Sequence, residues 1–253
     1  EKMFDVHFIT TPENGQIEQS LLEFEQLAKN DDIAAFIFEP LVQGASGMRM
    51  HKPEDLDKLL QIAKQNDIIC IADEVMTGFG RTGNLFAIDY LVNKPDLICL
   101  SKGITGGFLP LGVTAASQRI YDAFYDDDKL KTFFHGHSYT ANPIACAAAN
   151  ASYELLVSPK CRRQIQMITE SHKEFLLTLK DNKYIKNARS VGTIVAFELE
   201  DMGETSYFHS IRDKIYTHCL EQNVLLRPLG NVIYTMPPYC ITKVELERVY
   251  EVM

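Results

Sequence analysis

Apolar residues in this chain gather into short runs that end abruptly at charged or hydroxyl side chains. Ile68-Ile69-Cys70-Ile71-Ala72 stops at Asp73-Glu74, and Leu97-Ile98-Cys99-Leu100 stops at Ser101-Lys102. Runs this short and continuously apolar predict strands buried on both faces, as in a parallel sheet. Ala34 to Phe38 predicts a third buried strand, closed by Glu39-Pro40, and Val113 to Ser117 a further one. Between the strands the period changes. Leu21, Leu22, Phe24, Leu27 and Ala28 recur at mixed three- and four-residue spacing and predict an amphipathic helix over 18–29. Pro53 with Glu54-Asp55 opens another helix to about Gln65, since proline suits a first turn. A glycine-rich turn and a short helix near 85–92 separate the Asp73 and Lys102 strands. This alternation is an α/β signature.

Further on, Asn142 to Val157 predicts a helix rich in alanine, which permits close backbone approach. Pro159 interrupts it, and a long polar-faced helix runs to about Lys180. The texture then changes. Thr193 to Leu199 predicts a strand, Ser206 to Gln222 a helix, and Val224 to Arg227 and Val232 to Met236 two short strands. Thr242-x-x-Glu245 is a capping box for a last helix. The expected organisation is a mostly parallel sheet in residues 1–159, part of a large α/β domain, and a small α+β domain over 160–253.

A chain of 253 residues accommodates one large domain or a large and a small one. The net charge of −9 excludes a surface built to neutralise phosphates, and with it nucleic acid as a partner. No apolar run approaches the roughly 18–20 residues that span a bilayer, and no charged-then-apolar signal segment opens the chain. Six cysteines without a C-x-x-C pair fit reduced, buried thiols, so a cytoplasmic protein is expected. Glu1-Lys2-Met3-Phe4 is an abrupt opening, and the last helical pattern still runs at Val252-Met253; the chain reads as a fragment.

In parallel sheets, ligands collect beyond the carboxyl ends of the strands. There Lys102 and Asp73 would meet in one crevice, and that pair is what pyridoxal phosphate (PLP) chemistry requires. An amine can form a Schiff base, and a carboxylate can keep the pyridine nitrogen protonated. A strand-end lysine can equally be a solvated surface residue. The Asp73 partner and the small neighbours Ser101, Gly103, Thr105, Gly106 and Gly107 favour the cofactor. Gly78-Phe79-Gly80-Arg81-Thr82-Gly83 matches the dinucleotide pattern G-x-G-x-x-G, which would suit an NAD-dependent dehydrogenase. That reading is rejected. The Asp73 and Glu74 carboxylates would face the pyrophosphate, and the loop does not join a strand to a long helix. His135-Gly136-His137 lacks a third ligand and is a poor zinc site. Ser138, Tyr139 and Thr140 are better used as hydroxyl donors to a phosphate. Arg227, between two expected strands, can be a surface cation or a bidentate clamp for a substrate carboxylate.

Taken in order, Phe38-Glu39-Pro40, Ala72-Asp73-Glu74-Val75, Gly78 to Gly83, Leu100-Ser101-Lys102-Gly103 and His135 to Pro143 resemble the class III, fold-type I PLP aminotransferases. The resemblance covers that family's C-terminal portion. It implies that Lys102 carries the cofactor, Asp73 meets its ring nitrogen and Val75 backs the ring. It also implies that His137 and Ser138 serve the phosphate of a partner subunit's cofactor, in a homodimer with shared active sites. Glu39 to Met50, Asn142 to Ser152 and Arg227 to Tyr239 are most similar to the branch that makes 7,8-diaminononanoate from 7-keto-8-aminononanoate in biotin synthesis. By that similarity Arg227 clamps the substrate carboxylate and Gly136 lines the substrate channel. The amino donor stays open between adenosylmethionine and lysine. An ornithine- or acetylornithine-type transaminase, or an inactive piece, are the alternatives. Met76 stands where many members have Gln or His, and Ser138 where threonine is commoner. The family's N-terminal phosphate-binding loop and ring-stacking aromatic have no counterpart in these residues.

Overall fold

A computed structural model describes residues 3–30, 32–200 and 211–253. Helix α1 (Ile17–Ala28) leads to β1 (Ala35–Phe38), a short hairpin of β2 (Val42–Gln43) and β3 (Arg49–Met50), and then α2 (Pro53–Gln65). Proline fills the first turn of α2 beside Glu54 and Asp55, which complement the helix dipole. Its Leu56, Leu59, Leu60 and Ala63 fall at helical spacing and are all buried. Strand β4 (Ile69–Asp73) and β5 (Leu97–Leu100) flank a single 3₁₀ turn, Ala87–Tyr90, in place of the expected helix near 85–92. Another 3₁₀ turn, Lys102–Thr105, precedes β6 (Val113–Ala116) and α3 (Gln118–Phe124).

The first sheet has the order β1-β4-β5-β6. β1, β4 and β5 are parallel, with Phe38 opposite Ala72 and Asp73 opposite Cys99; β6 runs antiparallel to β5. One face is a core: Phe38, Cys70 and Ala72 pack with Phe24 of α1 and the leucines of α2. The strands are not buried on both faces as the continuous apolar runs suggested. Ile37 on the other face is 64% exposed, and every residue of β6 is exposed. The cause is that both covering helices, α1 and α2, lie on the same side.

Helix α4 (Pro143–Val157) starts where the Asn142 carboxamide oxygen accepts the N–H groups of Ile144 and Ala145. Helix α5 (Pro159–Thr178) follows directly, capped by the Ser158 hydroxyl. A three-stranded antiparallel sheet, β7 (Ile185–Val191), β8 (Ile194–Leu199) and β9 (Val232–Thr235), has β8 at its centre. Ile194, Val195, Ala196 and Phe197 are each wholly buried. Helices α6 (Ile211–Glu221) and α7 (Lys243–Val252) complete the chain, the latter with the expected Thr242–Glu245 capping box. The first residues of the helix expected from Ser206 lie outside the described residues.

Val224 to Arg227 is not a strand. Val224 and Leu226 are buried beside Cys219 and Val252, while Leu225 and Arg227 point outward. That alternation imitates a strand, yet no strand among the described residues pairs with the segment. The β2–β3 hairpin shares a core with the three-stranded sheet, in which Leu41, Val42 and Met48 meet Ile194, Ala196 and Val232. Arg189 joins them by polar contacts as well: it donates to the Gly47 and Met48 carbonyls and pairs with Glu198 at 2.9 Å.

Candidate active site

The strand ends place two adjacent acids on opposite faces of the sheet. Glu74 turns into the core and is wholly buried. It accepts the Thr77 hydroxyl at 2.7 Å and the N–H groups of Ala87 at 3.1 Å and Ile88 at 2.8 Å. Burial pushes its carboxyl above the usual range, against the pull of those three donors. Its task is local: it anchors the first turn at Ala87–Tyr90. Asp73 turns the other way, toward the open face. Its Oδ1 accepts the Val75 N–H at 3.0 Å, and the next peptide is tied to β5 by Glu74 N–H to Cys99 C=O, also 3.0 Å.

Lys102 begins the turn just beyond β5, with a left-handed φ of 44°. The turn is closed by Gly106, at φ 61°, whose N–H donates to the Gly103 carbonyl. Ser101 donates to the Leu111 carbonyl at 2.8 Å. Lys102 lines a cavity of about 920 Å³ with Val75, Phe79, Arg81, Gly103 and Tyr239 among its walls.

Glu39 lies close enough to feel the charges of Asp73 and Lys102, although neither it nor Asp73 is among the walls of that cavity; from the sequence it was only part of a motif. It follows Phe38 as Asp73 follows Ala72, and those two residues are in register on adjacent parallel strands. Its Oε2 accepts the Gly44 N–H at 3.0 Å. Burial raises its carboxyl's pKa first of all and the Asp73 charge adds to this; the Gly44 bond and the Lys102 charge pull it down. Glu39, Asp73 and Lys102 therefore share one field. A second strand-end acid one strand from Asp73 was the available signal. Met76 packs so near that a Cβ on Gly44 would lie 2.4 Å from its sulfur.

Other expected residues stand apart. Gly136, His137 and Ser138 lie on a fully exposed segment before α4. Their turn is internally bonded, with the His137 N–H on the Thr140 hydroxyl and the Tyr139 N–H on His137 Nδ1. None of the three lines the Lys102 cavity. Arg227 is exposed as well, and it is not among the cavity's walls.

The Gly78–Gly83 loop packs against the rest of the chain. A Cβ on Gly80 would meet Ile165 at 2.8 Å, and one on Gly192 would strike the Thr82 backbone at 2.2 Å. Arg81 donates to the Pro237 carbonyl at 2.7 Å, and Thr193 N–H donates to the Arg81 carbonyl at 2.9 Å.

An amine, a carboxylate in register with its strand, an apolar wall at Val75 and a rim of glycines fit the ring of PLP. Residues 4–253 match the class-III aminotransferase model. The chain belongs to that family. Class-III aminotransferases are PLP-dependent, and the mixed sheet with its helices is of fold type I. The adenosylmethionine-8-amino-7-oxononanoate aminotransferase of Synechococcus elongatus is 44% identical over 98% of this chain and 60% of its own length. Its namesake from Helicobacter pylori is 38% identical over 95% of the chain and 56% of its own. The crystal structure of the enzyme so named from Methanocaldococcus jannaschii superposes with a TM-score of 0.85 at 32% identity, over 95% of this chain and 57% of that one. The chain thus spans under two thirds of these class-III relatives. No helix among the described residues is long and apolar enough to cross a membrane.

Proposed function

We propose that this chain acts in the PLP-dependent transamination of 7-keto-8-aminononanoate to 7,8-diaminononanoate in biotin biosynthesis, as a cytoplasmic homodimer with shared active sites. The observation that carries this reading is the convergence of Lys102 and Asp73 at neighbouring strand ends, in a chain 44% identical to an enzyme named for that reaction. We assign residues 1–159 to the cofactor-binding domain and 160–253 to the small domain.

When bound, PLP supplies an aldehyde carbon that condenses with amines and a pyridine ring that takes up the electrons left when the donor loses a proton. Asp73 holds a proton on the ring nitrogen, because a nearby carboxylate favours the charged form. Val75 backs the ring. Lys102 would hold the cofactor through its amine, and its Nζ, when free, would take up and return a proton at the donor carbon. Donor and acceptor use the site in turn, which is ping-pong kinetics. Arg227 clamps the carboxylate of each substrate through a bidentate contact. The exposure of Gly136, His137 and Ser138 supports their use by a partner subunit, where His137 and Ser138 reach the cofactor phosphate and Gly136 lines the substrate channel.

The deciding experiment is borohydride reduction of the protein with added PLP, followed by peptide mapping and a substrate panel. A pyridoxyl adduct on Lys102 is expected, with 7-keto-8-aminononanoate as the preferred acceptor and adenosylmethionine or lysine as donor. An adduct with preference for ornithine or acetylornithine would move the assignment to another branch of the family. No Lys102 adduct in this chain or in the longer enzyme would overturn it.

A further inference from the structure

We propose that Tyr239, Phe79 and Arg81 form a latch that positions Lys102, so that the C-terminal part of the chain fixes the pose of the reactive amine. This rests on the aminotransferase reading of Lys102.

A left-handed backbone at a residue with a Cβ persists only where the surroundings impose it. Lys102 is in that region at φ 44°, and so is Phe79 at φ 57°. The two are linked. A Cβ on Gly103 would lie 2.9 Å from Phe79 Cδ2 and 3.0 Å from Phe79 Cβ, so the phenylalanine presses on the backbone next to Lys102. Phe79 is held in turn from the far side. The Tyr239 hydroxyl donates to the Phe79 carbonyl at 2.8 Å. The Tyr239 ring is covered by the Arg81 guanidinium, 4.7 Å from its centroid. Arg81 fastens the segment carrying that tyrosine by donating to the Pro237 carbonyl at 2.7 Å and the Met236 carbonyl at 3.3 Å. Burial pushes the Tyr239 phenol up to about 12, so it remains a donor at any working pH. Phe79, Arg81, Gly103, Tyr239 and Lys102 all face one cavity. The chain of contact is continuous from a backbone carbonyl at Pro237 to the turn that presents the amine.

Tyr239→Phe keeps the ring, its packing and the guanidinium contact, and removes one hydrogen bond. His172 and Tyr250 supply a matched control, because the Tyr250 hydroxyl bonds His172 Nδ1 at 2.6 Å outside the cavity. In the PLP-loaded enzyme, Tyr239→Phe is expected to slow borohydride trapping at Lys102 and lower kcat by about fivefold to tenfold, with KM within about twofold. It should also alter the circular dichroism of the cofactor band. Tyr250→Phe should leave trapping and dichroism unchanged whatever its melting temperature. Arg81→Lys, which cannot reproduce the planar fork, should show the same signature as Tyr239→Phe and stands in for it should that variant not fold. Unchanged trapping and dichroism in the Tyr239 or Arg81 variant would overturn the latch. So would equal losses in the Tyr239 and Tyr250 variants. A wild-type enzyme without a Lys102 adduct would instead fail the aminotransferase reading, and the latch with it.

Discussion

The four-stranded and the three-stranded sheet handle their strands in opposite ways. Every residue of the central strand β8 from Ile194 to Phe197 is sealed, whereas the four-stranded sheet covers one face and leaves Ile37 64% exposed on the other. Polar chemistry follows the same division. Glu39 and the proposed catalytic pair, Asp73 and Lys102, cluster where β1, β4 and β5 end on the less covered sheet. The sealed sheet contributes Arg189–Glu198, an ion pair that braces its contact with the Gly47–Met48 turn. A site needs strand ends that stop in the open; a brace needs strands that do not.

The largest test of this contrast removes the amine. Lys102→Ala should abolish transamination in a product assay, and near-normal turnover would end the assignment. Phe197→Ala should cost about 3–5 kcal/mol in a denaturant titration, while Ile37→Ala should cost less than about 1 kcal/mol. Equal losses would mean that the open face is covered in solution.

Acid should destabilise the fold as a whole. His172, wholly buried between α5 and α7, is held down to about 4 by burial, against the ordinary 6.5. His51 is lowered to about 4 for the same reason, opposed by Asp55. Both are neutral in the fold, and the unfolded chain takes up their protons first. Their contribution is complete above pH 6.5 and is lost as pH falls toward 4, at about 1.4 kcal/mol per pH unit for each histidine. Unfolding curves across that window should show the loss, and His172→Gln should make it shallower; an unaltered slope would remove His172 as its source. A further test concerns the proposed substrate clamp. Arg227→Ala should raise KM for the keto acid about 10- to 100-fold with kcat little changed. An unchanged KM would remove the clamp.

The parallel strands and both ends of the proposed catalytic pair were legible, because a continuous apolar run that halts at a charge gives both strand and position. β7 was not: Lys186, Asn187, Arg189 and Ser190 give it no apolar period, and it exists because β8 needs a partner. Val224 to Arg227 misled for the converse reason, having the alternation without the pairing. Glu39 also halts an apolar run, but that β1 is the strand beside β4, in register at Phe38 and Ala72, is carried by no local pattern. The Gly78–Gly83 loop resembled a phosphate cradle, yet it is packed against protein: Gly80 lies close on Ile165, and Gly192 lets its backbone cross the loop's at Thr82. Segments 135–138 and 227 were read for chemistry that a single copy of the described residues does not assemble.

Asp73 and Glu74 have one more consequence. A strand shifted by a single position presents its other face. Were β4 to slip by one residue, Glu74 would swing into the crevice and leave Ala87 and Ile88 without their acceptor. Asp73 would enter the core with a shorter reach and no waiting donors. The adjacent acids thus act as a built-in alignment mark: a chain that has sealed its core around Glu74 has, by the same event, aimed Asp73.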